Sequence, residues 1–175
     1  MPTQPPPRED HLGQLLLRAW RLVVADGLEQ VHAAGFDDVT AGHLPLFANL
    51  AADEKNGVRL VDLAGRAQVS RQWMARVAKD LESLGYVRLE QDADDQRAIR
   101  VRLDARGRAF RAAADKGMAR LVAKYASDIG ATRVAALHET LARLINSLSE
   151  RAPAAVADDS FTVPARPVRK AQRRE

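Results

Sequence analysis

The sequence predicts a mainly α-helical protein that carries one small β-hairpin. Apolar residues make up 46% of the chain but aromatics only 5%, with many Ala and Leu, which favours helices packed through small side chains. Apolar positions recur at three- and four-residue steps over most of the length, the period of an amphipathic helix. Two short stretches break that rule. Val87 and Leu89 alternate with Arg88 and Glu90, and Ile99, Val101 and Leu103 alternate with Arg100 and Arg102, the period of half-buried strands. The intervening DADDQ joins them as a hairpin.

In order along the chain, residues 1–9 are proline-rich and polar and are expected to be disordered. Leu12, Leu15, Leu16, Ala19, Leu22 and Val23 form one apolar stripe, so a helix runs from about Asp10 to Ala34 and stops at Gly35. Thr40 caps a second helix containing Leu44, Phe47, Leu50 and Ala51, with Pro45 favouring a start near His43. Asp53 to Gly57 is a polar break, and Val58–Arg59 a very short strand. A short helix, Leu60 to Ala67, precedes a helix opened by Ser70, whose hydroxyl can accept from a first-turn N–H. Met74, Val77, Ala78, Leu81 and Leu84 form that helix's inner face, and Gly85 ends it. After the hairpin, Asp104 begins a long helix with Phe110, Ala114, Gly117 or Met118, Leu121 and Tyr125 on one stripe, interrupted at Gly130. A last helix from about Thr132 spaces Val134, Leu137, Leu141, Leu144 and Leu148 like a heptad seam. Residues 10–150 thus read as one domain, with helical parts 10–52 and 104–150 around a centre at 53–103. Residues 151–175 read as a disordered basic tail with six cations and three anions, a net +3.

Composition excludes several functions. With no cysteine there is no disulfide scaffold, thiolate metal site or thiol sensor. His11, His32, His43 and His138 are scattered without metal-ligand spacing. There is no phosphate-binding loop, nucleophile elbow or dinucleotide glycine motif, so neither catalysis nor a cofactor is expected. The N-terminus has no apolar core of a secretory signal and no run approaches the ~20 residues of a membrane span, so the cytoplasm is the expected location. A net charge of +4 with a pI near 9.8 permits nucleic acid as a partner without requiring it.

The order helix, turn, serine-capped helix, hairpin is the order that sets one helix in a DNA groove with a loop beside it. If Met74, Val77 and Leu81 face the core, then Arg71, Gln72, Ala75, Arg76 and Lys79 lie on the opposite side. Arg can take guanine bidentately and Gln adenine, whereas Lys79 and Arg71 suit phosphates. Ser70 can cap the helix and touch a phosphate together. In the loop, Asp95 can hold the Arg97 guanidinium in a fixed orientation for the narrow minor groove.

Residues 60 to 110 resemble the winged helix-turn-helix of the MarR family of transcription regulators. The matching segments are LAGRAQVS, SRQWMARVAKDLESLGYV and DADDQRAIRVRLDARGRAF, the last with an Asp-rich loop, Asp-x-Arg, an alternating strand and a Gly early in a long helix. The likeness extends less specifically over about residues 10 to 150. It implies a homodimer with interlocked N- and C-terminal helices that recognises an inverted repeat in double-stranded DNA, most often as a repressor. Asp95 and Arg97 would be the wing pair, and Ser70, Gln72, Arg76 and Lys79 recognition-helix contacts. It also implies release by a small aromatic ligand held between the dimerisation helices and the winged part, where Trp20, His43 and Phe47 are this chain's candidates. The chain departs from the pattern at Gln68, where Gly is frequent, at Trp73, where a small residue is usual, and at Ala93, where Pro is frequent. The alternatives are an interaction module that keeps the fold and dimer but reads no DNA, and a small-molecule carrier using the same cleft.

Overall fold

A computed structural model describes residues 11–50 and 57–149. The expected polar break at 53–56, the N-terminal segment and the basic tail lie outside the described residues. The elements run α1 (Leu12–Ala33), a 3-10 turn (Ala41–His43), α2 (Leu44–Asn49), β1 (Val58–Arg59), α3 (Leu60–Ala67), α4 (Arg71–Ser83), β2 (Val87–Gln91), β3 (Ile99–Leu103), α5 (Ala105–Ile129) and α6 (Ala131–Ser149). The strands form an antiparallel sheet in the order β1-β3-β2.

Local chemistry explains most boundaries. Val31 and His32 carbonyls accept from the Phe36 and Gly35 N–H groups, and Gly35 supplies the positive φ that ends α1. Thr40 opens the 3-10 turn rather than α2 itself, and Pro45 sits in the first turn of α2, where its missing N–H is harmless. Leu50, expected inside this helix, has extended backbone just after it. The Ser70 Oγ accepts from the Trp73 N–H at 3.1 Å and starts α4. At its other end Gly85 takes φ +77°, Tyr86 N–H donates to Leu81 O at 2.9 Å and Gly85 N–H to Glu82 O at 3.0 Å. The α3–α4 turn uses the same bonding, from Gln68 N–H to Gly65 O and from Val69 N–H to Ala64 O. Its left-handed position is filled by Gln68 at φ 55°, the one non-glycine with positive φ among the described residues.

The core lies where α4, the sheet, α2 and the start of α5 meet. Met74, Ala78 and Leu81 are fully buried, with Leu46, Leu63, Tyr86, Val101 and Phe110 around them. Phe36, Phe47, Tyr86 and Phe110 form one aromatic cluster with ring centroids 4.3 to 6.2 Å apart. α5 presses against the end of α4 through Gly107, where an added Cβ would stand 2.1 Å from Tyr86 O. Further along α5 the ambiguous stripe position goes to Gly117, which is buried against Gln30 of α1, while Met118 is exposed. Tyr125 Oη donates to Asp26 at 2.8 Å, so the N-terminal and C-terminal helical parts join. The seam of α6 is only partly covered: Val134, Leu141 and Leu144 are half-buried, Leu137 and Leu148 exposed. Ile99, expected to be half-buried, is exposed because it pairs with Gln91 at the loop end of the ladder, past the core.

The hairpin is tied to the rest of the sheet by Asp92, 2% exposed. Its Oδ2 accepts from Arg59 Nε at 2.8 Å and Arg100 Nε at 2.6 Å, and its Oδ1 from the N–H groups of Asp94 at 2.9 Å and Asp95 at 3.2 Å. Arg59 and Arg100 stand directly opposite each other on β1 and β3. Two cations so placed repel unless an anion lies between them, and Asp92 supplies it. The Arg59 hydrogen bond first, then the loop N–H and Arg100, hold the Asp92 carboxyl well below the usual carboxylate range against the opposing effect of burial.

Two outcomes are expected. Gln68→Gly relieves a left-handed side chain and raises stability by about 1 kcal/mol, read as a shift of the denaturant midpoint at unchanged slope. Because the Asp92 pKa is depressed on folding, its contribution is complete above the unfolded value of about 3.9 and is lost as pH falls through it toward the lower folded value. Asp92→Asn therefore unfolds at lower temperature than the parent near neutrality, and the gap between the two narrows on acidification to about pH 3. A gap that is the same at both pH values removes the carboxylate from this account.

Candidate nucleic-acid interface

The burial of Met74, Val77, Ala78 and Leu81 fixes which side of α4 faces out. Arg71, Gln72, Arg76 and Lys79 are all exposed on that side, with Ala75 half-buried between them. Ser70 is half-buried at the N-terminus with its hydroxyl occupied as the cap. Trp73 does not project outward: it is half-buried and packs against the core. The exposed row starts in the first turn of α4, where free N–H groups and the positive end of the helix dipole add to the attraction for anions. The row thus combines two groups able to read base edges, Gln72 and Arg76, with two able to hold phosphates, Arg71 and Lys79.

The wing loop stands on the Asp92 anchor. Asp92 N–H donates to Ala98 O at 2.9 Å and Ala98 N–H to Asp95 O at 2.8 Å, closing the loop tightly. Asp95 acts differently from expectation: its Oδ1 accepts from the Arg97 backbone N–H at 3.1 Å, and its carboxylate makes no ion pair with the Arg97 guanidinium. Asp95 therefore shapes the loop backbone, leaving the exposed Arg97 side chain to project from it. The acidity of the loop, unfavourable beside phosphate on its face, has this structural origin: two of its three aspartates are spent on the loop's own N–H groups and on the sheet's arginines.

Asp92, Arg59 and Arg100 escaped the sequence reading, because the anchor spans 33 residues of separation between Arg59 and Asp92. The register, visible only once β1 is paired with β3, supplies the reason: it puts two arginines face to face and demands a carboxylate. Asp80 also escaped it. It lies on α4 one turn after Arg76, and its Oδ2 accepts from His43 Nε2 at 2.8 Å.

The three candidate ligand residues are separately employed. His43 is buried, its Nδ1 accepting from the Thr40 N–H at 3.2 Å while Nε2 meets Asp80. Phe47 is buried in the aromatic cluster, 4.3 Å from Phe110 between centroids. Trp20 sits on the first half of α1, exposed. Nearby, Arg111 of α5 donates to the Phe47 and Leu50 carbonyls at 2.8 and 3.2 Å, closing the C-terminus of α2. Among the described residues, no cluster of His, Asp or Glu could hold a metal ion, and no helix is long and apolar enough to cross a membrane.

No family model matches the sequence, and no curated protein matches it. Solved structures do. A MarR transcriptional regulator from Methanosarcina mazei Go1 is 16% identical with a TM-score of 0.68, covering 80% of this chain and 97% of its own. The transcriptional repressor CouR bound to a 23-mer DNA duplex is 24% identical with a TM-score of 0.65, covering 77% and 92%. CouR from Rhodococcus jostii RHA1 bound to p-coumaroyl-CoA gives 21% and 0.60, covering 75% and 90%. The PcaV transcriptional regulator from Streptomyces coelicolor, in complex with its natural ligand, gives 18% and 0.63, covering 79% and 94%. These structures match this chain over 90 to 97% of their own length, and the chain has the winged helix-turn-helix fold of MarR-family transcription regulators.

Proposed function

We propose that this protein is a sequence-specific, double-stranded DNA-binding transcription regulator. It acts as a homodimer on an inverted repeat, represses, and is released by a small aromatic ligand. One observation carries the reading: the exposed row Arg71, Gln72, Arg76 and Lys79 on a helix locked from behind by the core, with Arg97 projecting from an anchored loop beside it. α4 enters a major groove, with Gln72 and Arg76 at base edges and Arg71, Lys79 and Ser70 at phosphates. Arg97 reaches the adjacent minor groove, where narrow width concentrates negative potential. CouR, a repressor bound to DNA in one structure and to p-coumaroyl-CoA in another, and PcaV with its natural ligand, support both halves of the proposal by analogy of fold.

The dimer is supported by the apolar surface that the described residues leave uncovered. Leu22 of α1 is 66% exposed, and Ile145 and Leu148 of α6 are 60% and 55% exposed. Such apolar surface on both terminal helices is costly in water and fits a partner of the same kind. A twofold dimer would bring two copies of α4 to successive major grooves, about 34 Å apart along the duplex. The ligand would act by changing that spacing, a coupling between two sites. The basic tail of residues 151–175 would add salt-labile, sequence-independent affinity.

The deciding measurement is binding of the purified protein to the DNA upstream of its own coding region, against a scrambled duplex, over a salt series. A preference for the upstream DNA that survives moderate salt is expected; equal, salt-labile binding to both duplexes rejects the reading. With that operator in hand, Arg97→Ala should weaken binding about tenfold with the dimer intact. Unchanged affinity would take the wing out of the mechanism. Leu141→Asp, on the half-buried stripe of α6, should give monomers in sedimentation and abolish operator binding; a stable dimer would place the interface elsewhere.

A further inference from the structure

His43 and Asp80 form a contact that neither the fold nor the reading of DNA requires in an obvious way. The histidine is buried, its ring 6% exposed, in the 3-10 turn that leads into α2. The aspartate is 58% exposed and belongs to α4. The Thr40 N–H points at Nδ1, so Nδ1 is the acceptor and Nε2 carries the proton that is donated to Asp80 Oδ2. The ring is thus held from one side by backbone and presents a fixed donor to the recognition helix from the other.

Asp80 also stands four residues after Arg76. On a helix, residues four apart are neighbours, and an Arg–Asp pair at that spacing attracts. Yet Arg76 makes no ion pair or hydrogen bond with any described residue, and the Asp80 carboxylate is turned to the histidine instead. An aspartate left free at this place would draw the Arg76 guanidinium back along the helix. We infer that His43 is a positioning residue for DNA reading: it draws the Asp80 carboxylate toward the core and so keeps Arg76 available to the DNA. This rests on the DNA-binding reading above.

The test uses the full-length protein and the operator found by the upstream-DNA experiment. His43→Leu removes the donor while keeping an apolar group of similar bulk in the buried site. It should weaken operator binding about tenfold, the loss of one charge-assisted contact. The second change Asp80→Asn, which removes the negative charge, should restore His43→Leu to within about twofold of the parent. In an Arg76→Ala background, His43→Leu should have no further effect. Thermal melting of each variant follows folding separately, since any loss of stability from the buried substitution is not repaired by a change at the exposed Asp80. If His43→Leu with Asp80→Asn binds as weakly as His43→Leu alone, or if His43→Leu still costs affinity without Arg76, the inference fails while DNA binding stands. If the parent protein itself shows no preference for the upstream DNA, the underlying reading fails, and the inference falls with it for that separate reason.

Discussion

Tyr86 is the joint on which the arrangement depends. Its N–H closes the C-terminus of α4 on Leu81 O, and its carbonyl accepts from Asp104 N–H at 2.9 Å where α5 begins. Its ring is fully buried among Phe36, Phe47 and Phe110, and the Arg106 guanidinium lies 4.3 Å over it. Its hydroxyl donates to Asp38, which Arg106 also engages at 2.9 Å. Burial first, and then that hydrogen bond and the nearby carboxylate charge, push the phenol above its usual range, so it stays neutral and a donor. The exit of α4, the first strand of the hairpin, the long α5 and the loop after α1 therefore meet at a single residue. Gly107 is required because any side chain there would strike the carbonyl that holds two of these elements together.

A joint of this kind ties the end of α4, the hairpin and the start of α5 to one another. Apolar burial is non-directional and would tolerate slight rolling of α4. The directional bonds limit it: the Ser70 cap, the closure on Gly85 and Tyr86, and the Asp80 bond to His43. The wing is fixed just as firmly through Asp92. By contrast, the terminal helices leave much apolar surface open, and the tie between α1 and α5 through Gly117, Gln30, Asp26 and Tyr125 orients that surface without covering it. The molecule thus joins the tightly bonded α4 and hairpin to terminal helices whose described residues leave apolar surface open.

How much of this was legible in the sequence follows from the range of the interactions. Helices with strong apolar periodicity, the Ser70 cap, Gly35, Gly85 and Gly130 as stops and the period-two strands all depend on neighbours within a few residues. Their limits agree with the structure to within one or two positions. Thr40 caps the 3-10 turn and not α2 as its sequence suggests, because nothing local separates such a turn from the helix that follows it. The outward face of α4 could be read because its inward face is apolar. The long-range polar contacts could not be read. Asp92 meets Arg59 33 residues away and His43 meets Asp80 37 residues away, and neither pairing leaves a periodic trace.

The same long-range contacts explain a feature that looked unfavourable in the sequence. The surface proposed here to meet a polyanion carries Asp80 on its helix and, in its loop, Asp92 and Asp95. Each unpaired acid near phosphate opposes binding, so their presence needs a physical reason. Asp92 is consumed by two arginines and two backbone N–H groups, Asp95 by the Arg97 N–H, and Asp80 by a histidine reaching out of the core. In each case the acid's donor comes from within the molecule. The carboxylates set the backbone and the helix roll, whereas the guanidiniums of Arg76 and Arg97 and the amine of Lys79 are left outward. Exposed ion pairs contribute little to stability, and a half-exposed bond such as that of Asp80 is no exception. Its importance is therefore less in added stability than in where it holds the helix and the Asp80 carboxylate.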